Sequence, residues 1–201
     1  MGEAAFQAAL VPHFLWDTAN RMSTLESSDP KFPIGKFSAP AVITPQDLHR
    51  YIATLAALPE NMRSAVDGLT RVQIDTPYRE GGWTIRQLVH HVADSHMNAY
   101  CRTRDALTED WPLVKAYDEK LWANLHDART LPVDISLELL EPMHRRWVAL
   151  WESLSPEDWQ TRGYTHSESG RTTLALVAAM YDWHSRHHVA HISQLRKSRG
   201  W

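Results

Sequence analysis

The sequence predicts an all-α protein, a four-helix bundle, on three observations. Apolar residues recur at spacings of three and four in four long stretches, and residues suited to helix starts stand in front of them. No alternating strand pattern, internal repeat or low-complexity tract appears. Long amphipathic stretches without strands bury their apolar faces most simply against one another.

The first helix opens at Thr44-Pro45-Gln46-Asp47, with threonine as N-cap, proline at the first helical position and an acid in the first turn. Leu48, Ile52, Leu55, Met62, Val66 and Leu69 form its stripe, and Pro59 is expected to kink or break it. Residues 75–82 read as a loop, after which Trp83-Thr84 opens a second helix running to about Leu107. A long connection over 109–135 follows, with Trp111-Pro112 and Leu131-Pro132 inside it. Ser136 reads as the cap of the third helix, striped by Leu137, Leu140, Met143, Trp147, Leu150 and Trp151 and bent at Pro142. A second long loop spans 155–171, and Thr172 or Thr173 caps a fourth helix reaching almost to Gly200-Trp201. Residues 1–30 read as an N-terminal extension: a short amphipathic helix around Phe6, Leu10, Phe14 and Trp16, then a linker. Residues 31–201 are expected to form the bundle domain.

Composition narrows the function. With 201 residues, 43% hydrophobic and 22% charged, the chain matches one ordinary globular domain. A net charge of −3 without any basic run argues against nucleic acid as a partner. No apolar stretch is long enough to span a membrane, and Glu3 without early Lys or Arg argues against a secretory signal. The lone Cys101 excludes an internal disulfide and fits a reducing compartment. A cytoplasmic protein is expected, and Cys101 itself reads as a packed thiol.

Histidine is the residue in excess. His184, His187, His188 and His191 fall within eight residues of the last helix. Val177, Tyr181, His184, His188, Ile192 and Leu195 follow one another as a bundle seam, so His184 and His188 interrupt an inward stripe. Two imidazoles at i, i+4 on one face can grip one ion. His187 and His191 lie to one side, where an outer-sphere or surface role is expected. The second cluster, His90-His91-Val92-Ala93-Asp94-Ser95-His96, places His91 at the head of a polar strip with Asp94, Ser95, Asn98 and Arg102. Buried polar groups need partners, at a cost of about 1–3 kcal/mol each when they lack them. A divalent metal held by His91, His184 and His188, with one position open, would satisfy several. Zinc is the first expectation, with nickel, cobalt, manganese or iron as alternatives. The competing reading is a histidine cluster satisfied by hydrogen bonds alone.

The runs Asp75-Thr76-Pro77-Tyr78-Arg79-Glu80-Gly81-Gly82-Trp83-Thr84, His90-His91-Val92-Ala93-Asp94-Ser95-His96-Met97-Asn98 and Trp183-His184-Ser185-Arg186-His187-His188-Val189-Ala190-His191-Ile192 resemble the YfiT-type branch of the DinB superfamily. Pro33-Ile34-Gly35, Pro112, Tyr117-Asp118-Glu119 and His144-Arg145-Arg146-Trp147 extend the resemblance from about residue 32 to the C-terminus. It implies a four-helix bundle, a divalent ion on His91, His184 and His188, and a homodimer. It also implies an enzyme, either a metal-dependent hydrolase or an S-transferase using bacillithiol. The first expectation is that a low-molecular-weight thiol is activated at the metal for attack on an electrophile. A hydrolase using metal-bound water, with Asp94 as its base, is the second. A non-catalytic metal- or small-molecule-binding bundle is the third. Asp94, Asn98 and Arg102 could line the substrate side, and His144 and Arg145 could face the pocket or serve structurally.

Overall fold

The computed structural model describes residues 29–201, so the expected N-terminal helix lies outside it. Four long helices carry the described chain: α1 (Pro45–Val66), α3 (Ile85–Thr108), α6 (Val133–Glu152) and α8 (Leu174–Arg199). A short helix α2 (Arg71–Ile74) precedes α3. The side chains of Thr44, Thr84 and Thr173 accept from the backbone N–H groups of Asp47, Gln87 and Leu176, which start α1, α3 and α8 where helix-start chemistry places them. At Thr44 and Thr84 the third residue answers back to the cap, closing a capping box. Gly200, with φ 68°, ends α8 in the left-handed conformation that glycine adopts without strain.

The helices pack as a ring. α1 lies against α8 and α6, and α3 lies against α6 and α8. The apolar seams meet in one core, with Leu55, Ile85, Leu88, Leu140, Trp147, Leu174 and Ile192 wholly buried. Trp147 stands at its centre, edge-on to Trp151 at 4.9 Å and to Tyr181 at 5.2 Å, with its indole N–H given to the Thr103 hydroxyl at 3.2 Å. The α1–α8 contact has a polar rivet. Buried Asp182 accepts from the Thr54 hydroxyl at 2.7 Å and from Arg186 at 2.6 Å, so its charge is paired and hydrogen-bonded.

The structure departs from the sequence expectations in several places. Pro59 does not break α1, which runs through it, and Pro142 lies inside α6 where it was expected. α6 starts at Val133 behind Pro132, which provides no side-chain cap. Ser136 does not cap it; its hydroxyl donates instead to His90 Nδ1 at 2.7 Å. That assignment follows because His90 Nε2 must give its proton to the Leu131 carbonyl, 3.2 Å away.

The two expected loops hold short elements. The first contains β1 (Leu113–Val114), α4 (Glu119–Trp122) and α5 (His126–Thr130), and the second α7 (Pro156–Thr161), β2 (Gly163–His166) and β3 (Gly170–Thr173). β1 pairs in parallel with β2, and β2 forms an antiparallel hairpin with β3. Strands of two to four residues are too short to show a period of two, which is why the sequence does not announce them.

Gly163 occupies the tightest point of this sheet, since a Cβ there would collide with the Thr172 carbonyl. Gly163→Ala is therefore expected to destabilise the fold by about 1–3 kcal/mol, measured by urea denaturation. An unchanged midpoint would mean the hairpin can move aside without cost.

Candidate metal centre

Two of the four bundle helices bring imidazoles to one place. His91 comes from α3, and His184 and His188 from successive turns of α8; one ring nitrogen from each lies within 4.8 Å of the others. His184 Nε2 and His188 Nε2 are 3.2 Å apart. Two nitrogens sharing a tetrahedral zinc at 2.0–2.1 Å lie about 3.3 Å apart, so this spacing already fits one edge of a coordination polyhedron. Trp83 covers His91, with ring centroids 4.6 Å apart, and His91 and His188 are buried while His184 is partly exposed. The group could hold a metal ion, and all of its donors are imidazoles.

A line of hydrogen bonds fixes the proton positions behind His184. His144 Nδ1 lies 2.7 Å from the Leu55 carbonyl of α1, His144 Nε2 lies 3.1 Å from His96 Nδ1, and His96 Nε2 lies 3.0 Å from His184 Nδ1. A carbonyl only accepts, so His144 carries its proton on Nδ1 and accepts on Nε2. His96 must then donate from Nδ1 and accept on Nε2, and His184 must donate from Nδ1. His184 Nε2 is left with its lone pair, which faces His188 at 3.2 Å and has the Ser95 hydroxyl 3.5 Å away. Imidazole ligands commonly have such an outer partner, which sets tautomer and orientation.

Burial keeps these rings neutral. It pushes the pKa of His96, His184 and His188 well below the ordinary 6.5, with neighbouring imidazoles adding to the effect. His91 falls to about 4, by burial first and His187 second, and His144 to about 4 by burial. Neutral imidazole is the form that ligates.

The other expected site residues divide. Asp94 is half-buried, and burial first, with Asp127 second, raises its carboxyl to about 6. It is not part of the ligand cluster. Asn98 gives its amide to the Asp94 carbonyl at 2.9 Å, a bond within its own helix, and Arg102 reaches the Lys115 carbonyl at 2.6 Å, just past the end of β1. Arg145 is exposed, whereas His144 is the buried end of the relay. Cys101 is exposed, not packed, because it shares an outward stripe of α3 with Met97, Arg104 and Thr108.

His187 and His191 are not surface groups: only 6% and 3% of each is accessible. The cause is non-local, for residues 31–35 fold over this side of α8. The carbonyls of Lys31, Pro33 and Gly35 accept from His191 at 3.2 Å, Gln194 at 3.1 Å and the Trp183 indole at 3.1 Å.

Two contributors escaped the sequence reading. His96 lies on the apolar side of α3, between Val92 and Ala99, and His144 holds the matching place on α6 between Leu140 and Trp147. Two histidines on facing apolar seams were the available signal. Tyr117, in the first connection, has a buried hydroxyl beside the Ser95 side chain, and burial first, with Glu119 second, raises its pKa. Only three-dimensional proximity reveals it.

The sequence model of the DinB superfamily matches residues 54–192. This chain belongs to the DinB superfamily. A Bacillus licheniformis relative with the provisional name of metal-dependent hydrolase is 49% identical over 172 residues, covering 85% of this chain and 97% of the relative. A Bacillus mycoides relative of the same provisional name is 47% identical over 173 residues, covering 86% and 99%. The solved structure of YfiT from Bacillus subtilis superposes with a TM-score of 0.83 at 42% identity, covering 86% of this chain and 98% of that one. It is described, in equally provisional terms, as a metal-dependent hydrolase with an unusual four-helix bundle topology. This DinB-superfamily chain is thus a four-helix bundle of the YfiT kind.

Two outcomes test the centre. His96→Ala is expected to weaken zinc or nickel binding about 10–100-fold while the far-ultraviolet circular dichroism stays native, because His184 loses its orienting partner. Unchanged affinity would show that the relay is packing alone. The second concerns pH. In the unfolded chain histidines protonate near 6.5, but in the native state His91 and His144 resist protonation until about 4. Below pH 6.5 the unfolded state binds more protons, so stability of the metal-free protein is full above 6.5 and falls towards pH 4. Each such histidine contributes up to about 1.4 kcal/mol per pH unit, and a flat melting temperature from pH 7 to 4.5 would contradict it.

Proposed function

We propose that the protein is a metal-dependent enzyme in which His91, His184 and His188 hold one divalent ion, and that it transfers a small thiol to an electrophile. The observation that carries this reading is the donor set: a ligand cluster of imidazoles alone, with the lone pair of His184 directed into it. Neutral ligands leave an ion its full positive charge. The chemistry such an ion supplies is Lewis acidity, which favours the ionised form of a thiol and, in the second reading below, of water.

The chain's own residues do the rest. His96 and His144 fix the ring of His184, while Trp83 and Tyr181 wall the cluster with apolar surface. The Tyr117 hydroxyl, buried beside Ser95, is a donor that can turn to a leaving group. In the transfer a sulfur–carbon bond forms, the carbon–leaving-group bond breaks, and the thiol proton passes to solvent. Holding thiol and electrophile together is the main contribution of such a site.

A second reading, hydrolysis, is favoured by Asp94. Its carboxyl, raised to about 6, suits a general base near neutral pH, and the provisional names of the relatives agree. For assembly we propose a homodimer of cytoplasmic copies. Exposed Leu121, Leu125, Leu131, Ile135 and Leu139, close in sequence, supply apolar surface for it.

The deciding assay incubates the zinc- or nickel-loaded protein with low-molecular-weight thiols and an activated aryl halide, beside a panel of ester and amide substrates. Thiol conjugation that disappears in His91→Ala and His188→Ala is expected, with Asp94→Asn losing less than about tenfold. Ester or amide cleavage that collapses in Asp94→Asn, without conjugation, would replace transfer by hydrolysis.

A further inference from the structure

The proposed centre leaves one nitrogen unexplained. His188 Nε2 faces His184 Nε2, but His188 Nδ1 is buried and has no hydrogen-bond partner among the described residues. If Nε2 ligates an ion, the neutral ring carries its proton on Nδ1, and that proton has no acceptor. His184 meets the same requirement through His96; His188 has no counterpart. A buried donor without an acceptor is disfavoured, and metal-bound imidazoles normally avoid it.

The neighbours of that nitrogen share its condition. His187 Nδ1 and His191 Nδ1 are likewise buried and without a partner among the described residues. The three residues are only 6%, 7% and 3% accessible, and one ring nitrogen from each lies within 4.8 Å of the other two. The tautomer of His191 is fixed: its Nε2 donates to the Lys31 carbonyl at 3.2 Å, so Nδ1 holds a bare lone pair. A backbone carbonyl behind one ring nitrogen and an empty lone pair on the other is how an imidazole ligand is ordinarily set. Trp183 stacks on His187 at 4.3 Å and holds that ring in place.

From these observations we infer that His187, His188 and His191 form a second divalent cation site on α8, next to the first, with His188 bridging the two. Three imidazoles without a carboxylate select a d-block ion such as zinc, nickel or copper over magnesium or calcium. When both sites fill, His188 ligates through both nitrogens, and its remaining ring proton leaves to solvent. His191 also borders a cavity of about 820 Å³ lined by Tyr78, Arg79, Gln194 and Arg199, which does not include His91, His184 or His188. The two guanidinium groups oppose a bare dication there, so an anion entering from this cavity completes the coordination. The bridging role of His188 rests on the first centre being a metal site; the affinity of the second cluster does not.

The test counts ions on the full chain. Protein stripped with a chelator is titrated calorimetrically with zinc or nickel, and bound metal is measured by mass spectrometry after gel filtration. Wild type should bind about two equivalents, and His91→Ala/His184→Ala and His187→Gln/His191→Gln about one each. A single equivalent that survives in His91→Ala/His184→Ala and disappears in His187→Gln/His191→Gln would also support the second site, and would remove the first. A single equivalent lost in His91→Ala/His184→Ala and bound unchanged by His187→Gln/His191→Gln overturns the inference and leaves the proposed enzyme standing. No binding by wild type overturns both. Circular dichroism checks each fold, and if His91→Ala/His184→Ala unfolds, the comparison of wild type with His187→Gln/His191→Gln decides alone.

Discussion

A backbone carbonyl can accept a hydrogen bond and cannot donate one. At Leu55 this constraint spreads through three buried imidazoles, since each ring passes on the only arrangement its neighbour allows. The consequence appears at the far end, where a lone pair of His184 is directed into the cluster. α1, which contributes nothing to the cluster, therefore decides the state of a candidate ligand on α8. The bundle must hold α1, α3, α6 and α8 in one register for the relay to exist. The Asp182 rivet between α1 and α8 and the Trp147 stack between α3, α6 and α8 are what hold it.

Neutrality is the electrostatic counterpart of this geometry. Among the described residues, six buried histidines, His91, His96, His144, His187, His188 and His191, surround the half-buried His184. Charging any of them would set it against the others in a poorly hydrated interior. The protein thus keeps several potential ligands in their ligating form throughout the neutral range. The same arrangement makes the apo fold sensitive to acid and gives a bound cation a stabilising role, because ligation removes the lone pairs that protons would seek.

Much of this was legible in the sequence, and the illegible parts share a cause. Helix starts at Thr44, Thr84 and Thr173 and the inward place of His91, His184 and His188 follow from local chemistry and a period of 3.6 residues. Ser136 was misread because its partner, His90, lies 46 residues away and outcompetes the cap it resembled. His187 and His191 looked peripheral because a helical wheel ignores other segments, and residues 31–35 cover them from outside. The hairpin β2–β3 was too short to leave a pattern, and the roles of His96 and Tyr117 depend on which faces meet. Periodicity predicts that a face is buried; it does not predict what buries it.

The segment over α8 is recognised by its main chain. Its turns use the carbonyls of Asp29 and Phe32 internally and present those of Lys31, Pro33 and Gly35 to the helix. None of these three contacts involves the segment's side chains. Related chains could therefore exchange Lys31 or Ile34 freely, yet a residue inserted or deleted between 31 and 35 would displace every following carbonyl. Over evolutionary time the exposed positions of such a strap should drift while its length stays fixed, with Phe32, whose ring meets His187, and the buried Pro33 held more tightly.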